Sequence, residues 1–80
     1  MKRADIYYAI DAERNRLEEV HGDSSAASRR VPDAVKVAIL TEEVGEVACA
    51  VLDGDAGSPD DLRRELVQVA AVAVAWAECL

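Results

Sequence analysis

Eighty residues make one small domain, and a chain this short buries only about 60–65% of the surface its unfolded form exposes. Hydrophobic residues are 51% of the chain, but 15 of them are alanine and none is phenylalanine. Two cysteines are too few for a disulfide scaffold, which leaves oligomerisation or a bound metal as the expected supplement to the core. The net charge is −7, and residues 31–80, with three basic and ten acidic groups, carry all of it. That balance argues against DNA or RNA binding, which needs a basic surface. The longest uncharged run, Leu66 to Ala77, is too short to span a bilayer. No signal-peptide pattern is visible at the N-terminus, because Asp11 interrupts the apolar residues there. These features predict a soluble, cytoplasmic protein with reduced cysteines.

Three helices are expected. The first runs from about Ala4 to His21, with Ile6, Ile10, Leu17 and Val20 on one apolar stripe. Gly22 is a good left-handed terminator. The small, polar segment from Gly22 to Val31 reads as a mobile loop. The second helix starts near Pro32 or Asp33 and continues to about Asp53, where Gly54 ends it. Ser58 is an N-cap for the third helix, followed by Pro59 and by Asp60 and Asp61 at the positive end of the dipole. Valines alternate with alanines in part of this last segment, so a strand is conceivable, but the alanines and the cap favour helix. Leu66, Val69, Ala70, Ala73, Trp76, Ala77 and Leu80 make one apolar face, and Val67, Ala71 and Val74 make a second. A helix apolar on two sides is buried on two sides, which points to a subunit interface. The expected architecture is all-α: an N-terminal helix plus an antiparallel hairpin, completed into a four-helix-type bundle by oligomerisation.

Chemistry is concentrated in the carboxylates. Glu43 and Glu46 are three apart on one helix face, and Glu42 and Glu46 are four apart. Like charges at these spacings repel by about 0.2–0.5 kcal/mol per pair in an isolated helix. A divalent cation would relieve that repulsion. The hairpin turns near Ala56, which brings Glu46 level with Glu65 and Glu43 level with Gln68. Glu43, Glu46, Glu65 and Gln68 thus form an oxygen-ligand cluster between two helices. Oxygen-only ligation suits Mg²⁺ or Mn²⁺ rather than zinc. For each glutamate taken alone, a solvated surface position is the competing reading.

The run Glu42-Glu43-Val44-Gly45-Glu46, an eighteen-residue gap, and Glu65-Leu66-Val67-Gln68 resemble the signature of the MazG-like all-α nucleoside triphosphate pyrophosphohydrolases. That signature is Glu-Glu-x-x-Glu followed by Glu-x-x-Asp. The wider context, LTEEVGEVACAVLDGD through RRELVQVAAVAVAW, looks like the short members of actinobacteria and their phages. The resemblance covers about residues 33–78 and makes the chain a single MazG-like helical domain. It implies a homodimer or homotetramer, Mg²⁺ binding, and hydrolysis of nucleoside triphosphate to monophosphate and pyrophosphate. By position, Glu43, Glu46 and Glu65 match the family's metal ligands. Gln68 stands where the family has aspartate, which removes one negative charge and lowers the expected Mg²⁺ affinity. Glu42 is then a candidate general base, and Lys36, two turns before Glu43, a candidate phosphate ligand. Arg29, Arg30, Arg63 and Arg64 are weaker phosphate candidates. The Gln68 departure also admits a non-catalytic module that binds nucleotide, metal or a partner protein. A plain helical dimerisation module is a third possibility.

Other signals carry less. Asp53 and Asp55 begin like a calcium loop, but Gly57, Ser58 and Arg64 occupy the positions where an EF-hand needs Asp or Asn, Gly and Glu. Cys49 reads as a small core residue, and His21 as a helix-end residue. Trp76 reads as core or interface, while Tyr7 and Tyr8 stay open.

Overall fold

The computed structural model describes residues 1–54 and 57–80. Three α-helices contain most of the chain: α1 (Arg3–His21), α2 (Asp33–Leu52) and α3 (Pro59–Glu78). The bounds of α1 and α2 and the start of α3 fall within one residue of those expected, while α3, expected to reach the C-terminus, ends at Glu78. The expected turn at Asp55 and Ala56 lies outside the described residues.

The helix ends follow from local chemistry. At α3 the Ser58 hydroxyl accepts a hydrogen bond from the Asp61 backbone N–H at 3.3 Å. The Asp61 carboxylate in turn accepts from the Ser58 N–H at 3.2 Å. This reciprocal box satisfies two donors that the first turn leaves free. Gly22 closes α1 with φ +51°, and its N–H donates to the Glu18 carbonyl. A side chain at that φ would be strained, which is why the helix stops at a glycine.

α3 is the central element. It packs against both α1 and α2, which do not pack on each other among the described residues. α1 runs parallel to α3, since Ile6 and Ile10 line a groove with Leu62 and Leu66, while α2 returns antiparallel. The segment between α1 and α2 therefore crosses the C-terminal end of α3.

That crossing corrects the expected mobile loop. Gly22–Ser24 forms a turn of 3-10 helix, and Ser25 and Ala26 are buried. Ala26 joins Val72 and Ala75 in the core, with Leu17, Ala27, Ile39 and Leu40 packed around them. Small side chains let the backbone lie close on α3. Three polar contacts fix this end. The Cys79 thiol reaches the Ala27 carbonyl at 3.0 Å. The Trp76 indole N–H donates to the Asp33 carboxylate at 3.0 Å. Arg14 donates to both Glu78 oxygens, at 3.0 and 2.6 Å, a two-point pairing with defined geometry.

The two expected apolar faces of α3 need revision. Its buried residues are Ala71, Val72 and Ala75, and Val72 belonged to neither face. Leu66, Ala73, Val74, Ala77 and Leu80 stay exposed. On α1, Ile6, Ile10 and Leu17 are half-buried, while Val20 is exposed. Cys49 is exposed rather than in the core. No helix among the described residues is long and apolar enough to cross a membrane.

Candidate metal centre

The hairpin places its carboxylates together as its register predicts. Glu43 and Glu46 lie one turn apart on α2, and Glu65 lies in the second turn of α3. One carboxylate oxygen from each of the three lies within 4.8 Å of the others. Glu46 is exposed, whereas Glu43 and Glu65 are half-buried. One oxygen of Glu43 and one of Glu65 are closed to solvent and have no hydrogen-bond partner. Desolvated acceptors without donors are costly, and each such group needs a reason.

Electrostatics expresses the same tension. Burial pushes the Glu43 carboxyl above the usual glutamate range, and the charges of Glu46, Glu65, Glu42 and Glu13 raise it further, in that order. No basic group stands among these causes. The arrangement is a set of acceptors facing one another, open on the side where Glu46 meets solvent. It can accept a proton, donors from a ligand, or a cation with oxygen-rich coordination.

The other anticipated residues take different positions. Gln68 is half-buried on α3, three residues after Glu65 on the same face. Glu42 is exposed on α2 beside the cluster, near enough for its charge to act on Glu43. Lys36 is only 1% exposed, the largest fully buried side chain among the described residues. Its stem is covered along its length, so an anion could meet at most the tip of the ammonium. Arg29 and Arg30 lie far along the chain on the crossing segment and are exposed.

Glu13 is the residue that the sequence reading missed. It lies on α1, its side chain is 16% exposed, and Arg16 holds it at 2.7 Å. A signal for it was present. Ile6, Ala9, Ile10, Glu13, Arg14 and Leu17 are the half-buried residues of α1, and they follow the spacing of one helix face. A carboxylate in that stripe must face the body of the protein.

Comparison with known protein families, with curated proteins and with solved structures finds no match to this chain.

Proposed function

We propose that this protein is a divalent-metal-dependent nucleoside triphosphate pyrophosphohydrolase of MazG-like type, working on nucleotides in the cytoplasm. The observation that carries the reading is the convergence of Glu43, Glu46 and Glu65 within 4.8 Å, with two of their oxygens unpartnered. The resemblance of the Glu-Glu-x-x-Glu and Glu-x-x-Gln segments to that family's signature supports it.

The residues present fit Mg²⁺ or Mn²⁺. All the donors are oxygens, and their mutual repulsion is relieved by positive charge. Glu43, Glu46 and Glu65 would hold the ion, with Gln68 offering one neutral carbonyl oxygen. Such an ion supplies charge neutralisation for a triphosphate and Lewis-acid activation of water. The chain's own contribution is then positional. Glu42, exposed beside the cluster, takes the proton from the water attacking the α-phosphorus, and pyrophosphate leaves. Lys36, fully buried, could meet a phosphate only through the tip of its ammonium.

Self-association belongs to this reading. The protein exposes 5408 Å², whereas a compact monomer of its mass exposes about 4700 Å². Leu66, Val74 and Leu80, all exposed, supply apolar surface for a homodimer or homotetramer that completes the bundle.

The test is pyrophosphate release from a panel of ribo- and deoxynucleoside triphosphates with Mg²⁺ or Mn²⁺, and with chelator as control. Metal-dependent release is expected. Its absence from every substrate overturns the enzymatic reading and favours a non-catalytic module that binds nucleotide, metal or a partner protein. The neutral Gln68 is the specific feature behind that second reading. There, Gln68→Asp would create turnover where the wild type has none.

A further inference from the structure

On the flank where α1 meets the first half of α3 lies a hollow of about 550 Å³. Arg16, Arg63 and Arg64 line its polar rim with Glu13 and Asp60, around an apolar floor that includes Ala9, Ala12 and Val67. The volume is in the range of small-ligand sites. The three arginines are matched by the carboxylates Glu13, Asp60 and Asp61, so this patch is locally neutral on a chain whose net charge is −7. Three of the nine basic residues of the whole sequence thus gather in one concavity.

Each guanidinium is oriented by a carboxylate without being used up. Arg63 pairs with Asp60 at 2.6 Å, Arg64 with Asp61 at 3.3 Å and Arg16 with Glu13 at 2.7 Å. Among the described residues, the only side-chain hydrogen bond of Arg63 runs from Nη1 to Asp60. A guanidinium carries five N–H donors in a planar fork, so most of these donors remain for another acceptor. Arginines held in this way match the oxygens of a phosphate, which accept two donors at once.

None of Glu43, Glu46 and Glu65 lines the hollow, and its link to the candidate metal centre is the charge of Glu13. Glu13 lines the hollow, and its charge is felt at Glu43. Arg64 directly precedes Glu65.

We infer that this hollow is an anion subsite for the oligophosphate part of a nucleotide, with Arg16, Arg63 and Arg64 as its ligands. The assignment to a nucleotide rests on the function proposed above; the anion site itself rests on the hollow and its arginines. Inorganic pyrophosphate is the probe, titrated calorimetrically into the full chain in chelator and again with Mn²⁺. Saturable binding is expected in chelator, weakened about tenfold or more in Arg63→Gln/Arg64→Gln. Arg16→Gln should weaken it as well. Arg29→Gln/Arg30→Gln removes the same charge from the crossing segment and should leave binding unchanged. Three results would each overturn the subsite: no saturable binding to the wild type in chelator, binding unchanged in Arg63→Gln/Arg64→Gln, or an equal loss in Arg29→Gln/Arg30→Gln. Mn²⁺ titration without pyrophosphate separates the two proposals. Failure of Mn²⁺ to bind contradicts the metal centre alone, because pyrophosphate binding in chelator is read without any metal.

Discussion

The two ends of α3 are built on opposite principles. At the C-terminal end, Val72 and Ala75 meet Leu17, Ala26, Ile39 and Leu40. There the Arg14–Glu78 and Trp76–Asp33 contacts satisfy the polar groups. At the N-terminal end, Glu65 faces two glutamates with no hydrogen-bonding partner for its buried oxygen. Leu66 is half exposed, and two hollows open against α1. One end secures the fold. The other keeps charge, apolar surface and space that folding alone does not require, and the proposed metal site lies there.

Substitutions at the two ends should therefore differ in kind. Val72 is 3% exposed, so Val72→Asp buries an unpaired charge and should cost more than about 4 kcal/mol. Far-UV circular dichroism would then show no cooperative thermal transition. Leu66→Asp, at a residue 51% exposed, should keep the helical signal and instead lower the mass measured by light scattering. Equal loss of helicity in both variants would remove the distinction.

The next effect in size concerns activity. Glu43→Gln should lower Mg²⁺-dependent pyrophosphate release by about 100-fold or more, since it removes a charged ligand. Steady-state turnover with the wild type alongside checks this, and unchanged turnover contradicts the assignment of the site. A smaller effect is expected at the closed end. Trp76→Phe removes the hydrogen bond to Asp33 and should cost about 1 kcal/mol. For a chain of this length that is a fall in Tm of about 4–8 °C.

The smallest effect sharpens the comparison most. The Glu43 carboxyl is raised in the folded state by burial and by neighbouring carboxylates. The folded chain thus holds this proton more tightly than the unfolded one. Stability should fall as pH rises from the ordinary glutamate range through the raised value, and the full penalty is present above it. Glu43→Gln should remove that slope and stabilise the metal-free protein near neutral pH by about 0.5 kcal/mol. Thermal melts in chelator across pH test this. The same substitution is then predicted to stabilise the fold while removing its activity, a signature of a site that folding does not need.

Much of this was legible in the sequence. Ser58 and Pro59 fix the start of α3, Gly22 and Gly54 mark the ends of α1 and α2, and a short connection sets the register. These features are local, and they sufficed to bring Glu43, Glu46 and Glu65 together. What was not legible depends on packing between distant segments. Ser25 and Ala26 are small and carry no periodic signal, yet they cover the end of α3. Val72 lay outside both faces assigned to α3 because the alanine-rich run gives each face nearly equal hydropathy. Lys36 is buried and Cys49 exposed, the reverse of what residue type alone suggests. Glu13 escaped attention because its charge acts on Glu43 through space, from a helix that does not pack on α2 and from thirty residues away in the chain.

The central claim is that the open end holds its carboxylates for a cation. Titration of the metal-free wild type with Mn²⁺, read by electron paramagnetic resonance beside Glu43→Gln, tests it directly. The account predicts saturable binding to the wild type that is lost or at least about tenfold weaker in the variant. Binding absent from the wild type, or of the same affinity in both proteins, would contradict it.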